Sequence, residues 1–386
     1  MKKFLIILLA VIALAVSLAF ITGNQHIFKA VLSTYLVGEK GPTIDDYTKF
    51  VNRTVETGQA QEWPLSSNYN KISIAPELED TLESYKTIAF AVFQNDSLLF
   101  EQYWEDYSRD SYTNSFSVAK SLVGICVGAA LKDGSIESLD QKVADFIPEY
   151  RQGEKSKISI RNLLTMSSGI DFGENYNDPF GFMAKAYYGT NLYPLTVEKD
   201  LEHKPGSVWK YQGGNTLLLS FVLEKATDMS LSEYFSEKIW KPIGAAKDAL
   251  WTVDKKSGRE KSYCCFYSNA RDFARIGKLY MQKGVWNEDT LLPSWYVKES
   301  VLPVNIPTEA GKNVDYYGFQ WWIVPNWDNK VFYARGIQGQ YIVVVPDEDL
   351  IIVRLGRERD PARDAVVPMD LYFYLRIALE MAEKNS

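Results

Sequence analysis

The chain opens with Lys2 and Lys3 and then an uncharged apolar run from Phe4 to Ile21. From 25 to 75 apolar patches alternate with polar turns and no clear period emerges. Thr87–Gln94 is rich in β-branched and aromatic residues, Asn95-Asp96-Ser97 reads as a turn, and Leu98–Trp104 reads as a return strand, so a hairpin is expected. Leu122–Leu131 is apolar on all sides, the pattern of a buried helix, and Lys132-Asp133-Gly134 supplies its stop. Leu139–Val143 and Phe146–Pro148 predict a short helix and turn, and Ile158–Leu164 a further helix ending near Ser167-Ser168-Gly169. Residues 170–195 are aromatic and turn-rich without periodicity: a lid or pocket wall, or a loop packed by its own aromatics. Helices are predicted at Thr216–Ala226, at Leu231–Ile239 (closed by Pro242-Ile243-Gly244) and at Asn269–Lys283, with Phe273, Ile276, Leu279 and Tyr280 on one face of the last. Strand patterns then return at Tyr317–Val324, Val331–Arg335, Tyr341–Pro346 and Leu350–Leu355, before a closing helix at Met369–Lys384.

Strands at both ends with helices between them imply an α/β (α+β) fold: an antiparallel sheet flanked by helices, with a mostly helical subdomain inserted. The expected division is 1–24 as signal peptide or membrane anchor, 25–75 as an N-terminal extension, and 76–386 as one domain. Its sheet part is 76–116 with 255–386, and its helical part is 117–254. A site is expected in the cleft between the two parts.

Charge and composition narrow the function. With 46% hydrophobic and 24% charged residues the chain is an ordinary globular protein rather than a disordered one. Its net charge is −7 and it has no basic run, so nucleic-acid binding lacks a footprint. The Phe4–Ile21 run would span roughly 27 Å as a helix, close to a bilayer core. Ser17-Leu18-Ala19 offers a small-x-small cleavage site, so a cleaved signal peptide and an uncleaved anchor both remain open, the anchor slightly favoured by length. In either case the lysines stay inside and the body is exported, membrane-tethered or secreted. The three cysteines form neither a disulfide framework nor a zinc spacing, and adjacent Cys264 and Cys265 are not expected to pair. Only two histidines exist, His26 and His203, so His-ligated metal sites are nearly excluded and a Ser-His-Asp triad would have to use His203, which reads as a loop residue.

Serine chemistry without imidazole needs another base. Ser117-Val118-Ala119-Lys120 lies at the mouth of the apolar run, so one helical turn sets Lys120 beside Ser117. A serine there meets unpaired N–H groups and the positive end of the helix dipole, which favour a developing oxyanion. A charged amine among apolar neighbours is costly without a partner, which makes Lys120 a candidate base. A second copy of the spacing, Ser207-Val208-Trp209-Lys210, sits between Pro205-Gly206 and Gly213-Gly214 in a turn-rich segment. Tyr211, beyond a Pro-Gly turn, is a candidate proton shuttle. Ala334-Arg335-Gly336-Ile337 ends one strand where glycine allows close approach, so the N–H of Ile337 could join that of Ser117 around a carbonyl oxygen.

Ser117-x-x-Lys120, Tyr211-x-Gly213 and the Gly336 strand edge, in this order, resemble the serine β-lactamase-like superfamily: class C β-lactamases, penicillin-binding DD-peptidases, related esterases and 6-aminohexanoate-dimer hydrolases. Linking segments resemble it too, among them Leu163–Gly169, Ala270–Arg275 and Tyr317–Trp322. The resemblance covers roughly residues 80 to 385 and implies a β-lactamase/transpeptidase-like fold. It implies Ser117 as acylated nucleophile, Lys120 and Tyr211 as proton-transfer groups, and Ser117 and Ile337 as oxyanion donors. Gly336 and Asn215 are the expected substrate-binding residues. Two departures stand out: the third residue of the family's Tyr-x-Asn is Gly213, with Asn215 a candidate substitute, and its Lys-Thr-Gly position reads Ala334-Arg335-Gly336. The missing lysine, which helps bind the carboxylate of β-lactams and peptidoglycan stems, argues against antibiotic hydrolysis. Arg335 is expected to point to the opposite face of the strand.

The expected function is an exported serine hydrolase of a small ester or linear amide, with no metal or organic cofactor. Its partners would be that small-molecule substrate and, through the N-terminal segment, the membrane. A non-catalytic module binding a cell-wall or peptide ligand on the same fold is the alternative.

Overall fold

The structure is a computed structural model, and it describes residues 1–364 and 366–385. Six strands form one antiparallel sheet, in the order Ser97–Tyr103, Thr87–Gln94, Leu350–Gly356, Gln340–Val345, Phe332–Gly336 and Trp322–Ile323. The expected hairpin thus pairs directly with the last long strand, Ile351 opposite Phe93 and Val353 opposite Ala91. Alternation divides the side chains between two cores. Ile342, Val344, Ile351 and Val353 face a large core with the helices Val118–Asp133 and Ala270–Met281. Tyr341, Val343, Val345 and Ile352 face a second core under the closing helix Met369–Asn385.

Val118–Asp133 is the buried helix expected from its apolar run; thirteen of its residues are buried, which makes it the spine of the helical part. Its small residues serve packing. Tyr296 lies so close to Gly128 that a Cβ there would come within 2.6 Å of its ring, and the Tyr296 hydroxyl donates to the carbonyl of Gly124 at 2.5 Å. Gly134 ends the helix in the left-handed conformation. Ser159 caps Ile160–Leu164 and Ser230 caps Leu231–Phe235, each in a reciprocal capping box.

Several expectations are corrected. The Tyr317–Val324 run gives only a two-residue strand, because Gln320 turns left-handed (φ 63°) and its amide plugs the carbonyls of Leu163 and Leu164 at 3.1 and 3.0 Å. The aperiodic 170–195 segment contains two short helices, Phe182–Tyr188 and Leu192–Val197. Leu231–Ile239 is a short helix followed by a wider turn over Ser236–Trp240. Cys264 and Cys265, not expected to pair, form a disulfide with each other, with Cys265 at φ 67°.

The N-terminal run forms an apolar helix, Lys2–Ile21, none of it buried. The extension after it is built into the body. Asn52–Val55 pairs with Ala249–Thr252 in a second, four-stranded sheet completed by Phe266–Ser268 and Thr113–Asn114. His26 Nε2 lies 2.8 Å from the Pro179 carbonyl, and the Gln338 amide donates to the Pro42 carbonyl at 2.8 Å.

Candidate active site

Ser117 occupies the N-cap position of the buried helix. The residue before it, Phe116, is left-handed (φ 43°), a conformation that costs a side-chain-bearing residue roughly 1–3 kcal/mol unless its surroundings hold it. They do: the Phe116 N–H donates to Asn114 Oδ1 at 2.9 Å, the Asn114 amide donates to the Tyr267 hydroxyl at 3.2 Å, and the Ser115 N–H donates to Phe266 O at 2.8 Å. The serine is therefore presented on a fixed elbow. Asn114, which braces it, carries no sequence signal beyond its closeness to Ser117.

Lys120 is 1% exposed, and its Nζ hydrogen-bonds Ser117 Oγ and donates to the carbonyl of Tyr263, each at 2.9 Å. It faces the Tyr211 and Tyr263 rings at 5.1 and 5.6 Å from their centroids. A hydroxyl, a carbonyl and two aromatic faces stand where a carboxylate would otherwise neutralise it. Tyr211 is half-buried against Trp322 and Tyr317 and lines the same chamber as Ser117. Burial pushes the Tyr317 phenol well above its ordinary range, with Tyr211 adding to the effect. The Tyr263 phenol, fully buried, is raised likewise by desolvation.

Gly336 pairs with Gln340 at the end of its strand. A Cβ there would collide with the carbonyl oxygen of Ser115 and come within 3.1 Å of Phe116 Cβ, so glycine lets the strand edge close on the elbow that carries Ser117. Ile337 is the next residue and lines chambers on both sides of Ser117. No acceptor among the described residues takes the backbone N–H of Ser117 or of Ile337. That leaves two donors, at a helix N-terminus and at a strand edge, for a carbonyl oxygen.

Two assignments change. Asn215 does not reach the cleft: its amide turns back to Gln212 O at 3.3 Å and Met166 Sδ at 3.6 Å inside the helix Gly213–Thr227. A Cβ at Gly213 would lie 3.2 Å from the Tyr263 ring, so Tyr263 fills the space a longer side chain would need. Arg335 does face away from Ala334, but the chamber is on its side. Ala334 is buried in the large core, whereas Arg335 stacks on Trp322 at 3.8 Å and lines the chamber with Ser117.

His203 lines neither chamber; its Nε2 lies 3.2 Å from Glu309. Glu202, His203 and Glu309 could offer ligand atoms to a cation, but the ammonium of Lys210 sits between the two carboxylates at 2.6 and 3.1 Å. The sequence reading missed the extension as a wall of the site: Ile27, Ala30 and Pro42 line a chamber of about 580 Å³ with Ser117, Tyr263 and Cys264. It also missed Arg359 and Arg363, which line the second chamber, of about 410 Å³, with Tyr211 and Arg335. The disposition suits acyl transfer: a hydroxyl bonded to a buried amine, a phenol in the same chamber, and two N–H groups without an acceptor among the described residues.

The family model described as Beta-lactamase matches residues 77–372. The chain is similar to the 6-aminohexanoate-dimer hydrolase of Paenarthrobacter ureafaciens, 29% identical over 304 residues, covering 74% of this chain and 76% of that protein. Its fold is similar to that of a 6-aminohexanoate-dimer hydrolase candidate from Bacillus anthracis, with a TM-score of 0.74 at 22% identity over 87% of this chain and 92% of that one. It also matches a family VIII carboxylesterase, with a TM-score of 0.60 at 16% identity over 81% of this chain and 98% of the other.

Proposed function

Because this chain belongs to the Beta-lactamase family, a family of β-lactamase-fold hydrolases, we propose that it hydrolyses an ester or linear amide through an acyl-enzyme at Ser117. Lys120, acting as the neutral amine, takes the proton of Ser117 Oγ as the oxygen attacks the substrate carbonyl. The N–H groups of Ser117 and Ile337 stabilise the tetrahedral oxyanion. Tyr211 relays the proton to the leaving alcohol or amine as the C–O or C–N bond breaks. Water then attacks the acyl-enzyme, giving its proton to the same amine–phenol pair, and releases the acid and free Ser117.

The observation that carries this reading is the 2.9 Å contact between a buried amine, with no ion-paired carboxylate among the described residues, and a serine hydroxyl on a braced helix N-terminus. The linear-amide half of the reading rests on the name of the Paenarthrobacter relative. The absence of the family's lysine at Ala334 supports weak action on β-lactams. The apolar helix Lys2–Ile21 supports an anchor or export signal with the body outside the cytoplasm, which N-terminal sequencing of the exported chain tests.

A fluorophosphonate probe tests the chemistry. Labelling of the wild type that disappears in Ser117→Ala is the expected result, with negligible turnover of a chromogenic cephalosporin. Labelling that persists in Ser117→Ala, or is absent from the wild type, rejects it in favour of a binding module.

A further inference from the structure

The two chambers that meet at Ser117 differ in chemistry. In the smaller one three guanidiniums converge. Arg335 donates to the Val366 carbonyl at 3.2 Å and stacks on Trp322. Arg359 and Arg363 line the chamber with no salt bridge or side-chain hydrogen bond among the described residues, the buried Asp370 carboxyl feeling the charge of Arg359 without pairing with it. Their mutual proximity registers in Arg363, which burial and then the charges of Arg335 and Arg359 hold below its ordinary range. Trp209 lines the same chamber, and its buried Nε1–H has no acceptor. In a chain with 49 acidic and 42 basic residues, three guanidiniums with no salt bridge among the described residues, and a spare donor, give one cavity a positive lining that favours an anion. Guanidiniums suit planar or tetrahedral oxyanions.

The larger chamber is mostly aromatic and aliphatic, with Lys40, Asn177 and Asp178 among its lining. Ile27, Ala30 and Pro42 of the extension face Met183 and Tyr188 across it, with Phe116 beside Ser117. The extension is held there by the His26–Pro179 and Gln338–Pro42 bonds described above. Its first wall residue, Ile27, comes six residues after the end of the apolar helix at Ile21, so an apolar ligand can arrive from a bilayer or from water.

We propose that the substrate is an amphiphile with one anionic end: Arg335, Arg359 and Arg363 take the anion, the chamber beneath the N-terminal extension takes an apolar arm, and the scissile carbonyl lies between them at Ser117. The proposal rests on the hydrolase reading above and adds the substrate class to it.

The test uses the full chain in neutral detergent and two ester pairs of opposite polarity. One is 4-carboxyphenyl octanoate against 4-carbamoylphenyl octanoate; the other is octyl hydrogen succinate against octyl succinamate. In at least one pair the anionic member is expected to have the higher kcat/KM by tenfold or more. R359Q/R363Q should reduce that preference at least tenfold, chiefly through KM, and R359K/R363K should restore part of it. Replacing the eight-carbon arm by a two-carbon arm should lower wild-type kcat/KM at least tenfold. No preference for the anion in either pair, a preference that survives R359Q/R363Q, or indifference to arm length overturns the proposal. Calorimetric titration of Ser117→Ala with octyl hydrogen succinate makes the result independent of turnover. Binding at least tenfold tighter than in Ser117→Ala/R359Q/R363Q supports the anion site even if no ester is cleaved, and equal binding overturns it. Presenting the preferred ester as a monomer or in phosphatidylcholine vesicles then distinguishes the sources. With the anion preference intact, faster turnover in vesicles assigns the bilayer, and faster turnover of the monomer assigns water.

Discussion

The chain contains the same Ser-x-x-Lys spacing twice, and the structure treats the copies in opposite ways. At Ser117 the lysine is 1% exposed, bonded to the serine hydroxyl, and forms no ion pair with a carboxylate among the described residues. At Ser207 the hydroxyl turns back to the Lys204 carbonyl at 2.7 Å, while Lys210 is half-exposed and saturated by Glu202 and Glu309. The first serine starts a buried helix on a braced left-handed elbow; the second follows a left-handed glycine, Gly206 (φ 82°), in a turn. Four residues thus specify nothing by themselves. What separates the copies is the helix that buries the first amine and the lack, among the described residues, of a carboxylate paired with it.

The largest effect expected from this contrast is on the two lysines. Lys120→Met should lower kcat/KM for a reactive ester by about 10²–10⁴, the usual worth of a positioned proton-transfer group. Lys210→Met, which removes only exposed ion pairs, should leave it within about twofold and cost under ~1 kcal/mol of stability. Equal losses in both variants would erase the distinction.

A pair of glycines sharpens it next. Gly336→Ala places a Cβ against the Ser115 carbonyl, so the strand edge must retreat from the nucleophile and carry the Ile337 N–H with it. Loss of one well-placed oxyanion donor costs about 10²–10³, so a partial shift should lower kcat roughly tenfold to a hundredfold, with KM changing less. Gly206→Ala instead meets a positive φ and the Asn162 amide nitrogen at 3.2 Å. It should cost about 1–2 kcal/mol of stability in a urea titration, with kcat unchanged in the folded fraction. The opposite assignment of effects would mean that Gly336 serves packing alone.

What could be read from the sequence follows the same division between local and remote causes. The serine helix was legible because Leu122–Leu131 is uniformly apolar, and the sheet because Gln340–Val345 and Leu350–Gly356 are long and apolar enough to pair inside two cores. The Ser117–Lys120 contact was legible because three residues is nearly one helical turn. Arg335 was placed on the correct strand face, but which face borders the chamber depends on Trp322 and the 359–366 segment, remote in sequence. Asn215 was misplaced because its side chain found partners away from the cleft, in Gln212 at its own helix start and in Met166, 49 residues earlier. The extension gave no period to follow, since its wall is made by single residues pinned to distant carbonyls and amides. The Cys264–Cys265 bridge depends on a left-handed residue that composition does not announce.

The smallest expected effect concerns acid. Bonds from His203 and Lys210 hold the Glu309 carboxyl below its usual range. A carboxylate whose folded pKa is depressed stabilises the fold fully above its unfolded value, about 4.3, and loses that contribution as pH falls through the lower folded value. Because Glu309 and Lys210 are both substantially exposed, the contribution should stay below about 0.5 kcal/mol and shrink further with salt. Urea titrations of wild type and Glu309→Gln at pH 7 and pH 3 should therefore converge at the acid end and differ slightly at neutrality. The kcat/KM profile against pH should be the same for both proteins. If Glu309→Gln displaces that profile, the second Ser-x-x-Lys segment acts on the chemistry after all, and the separation between the two copies fails.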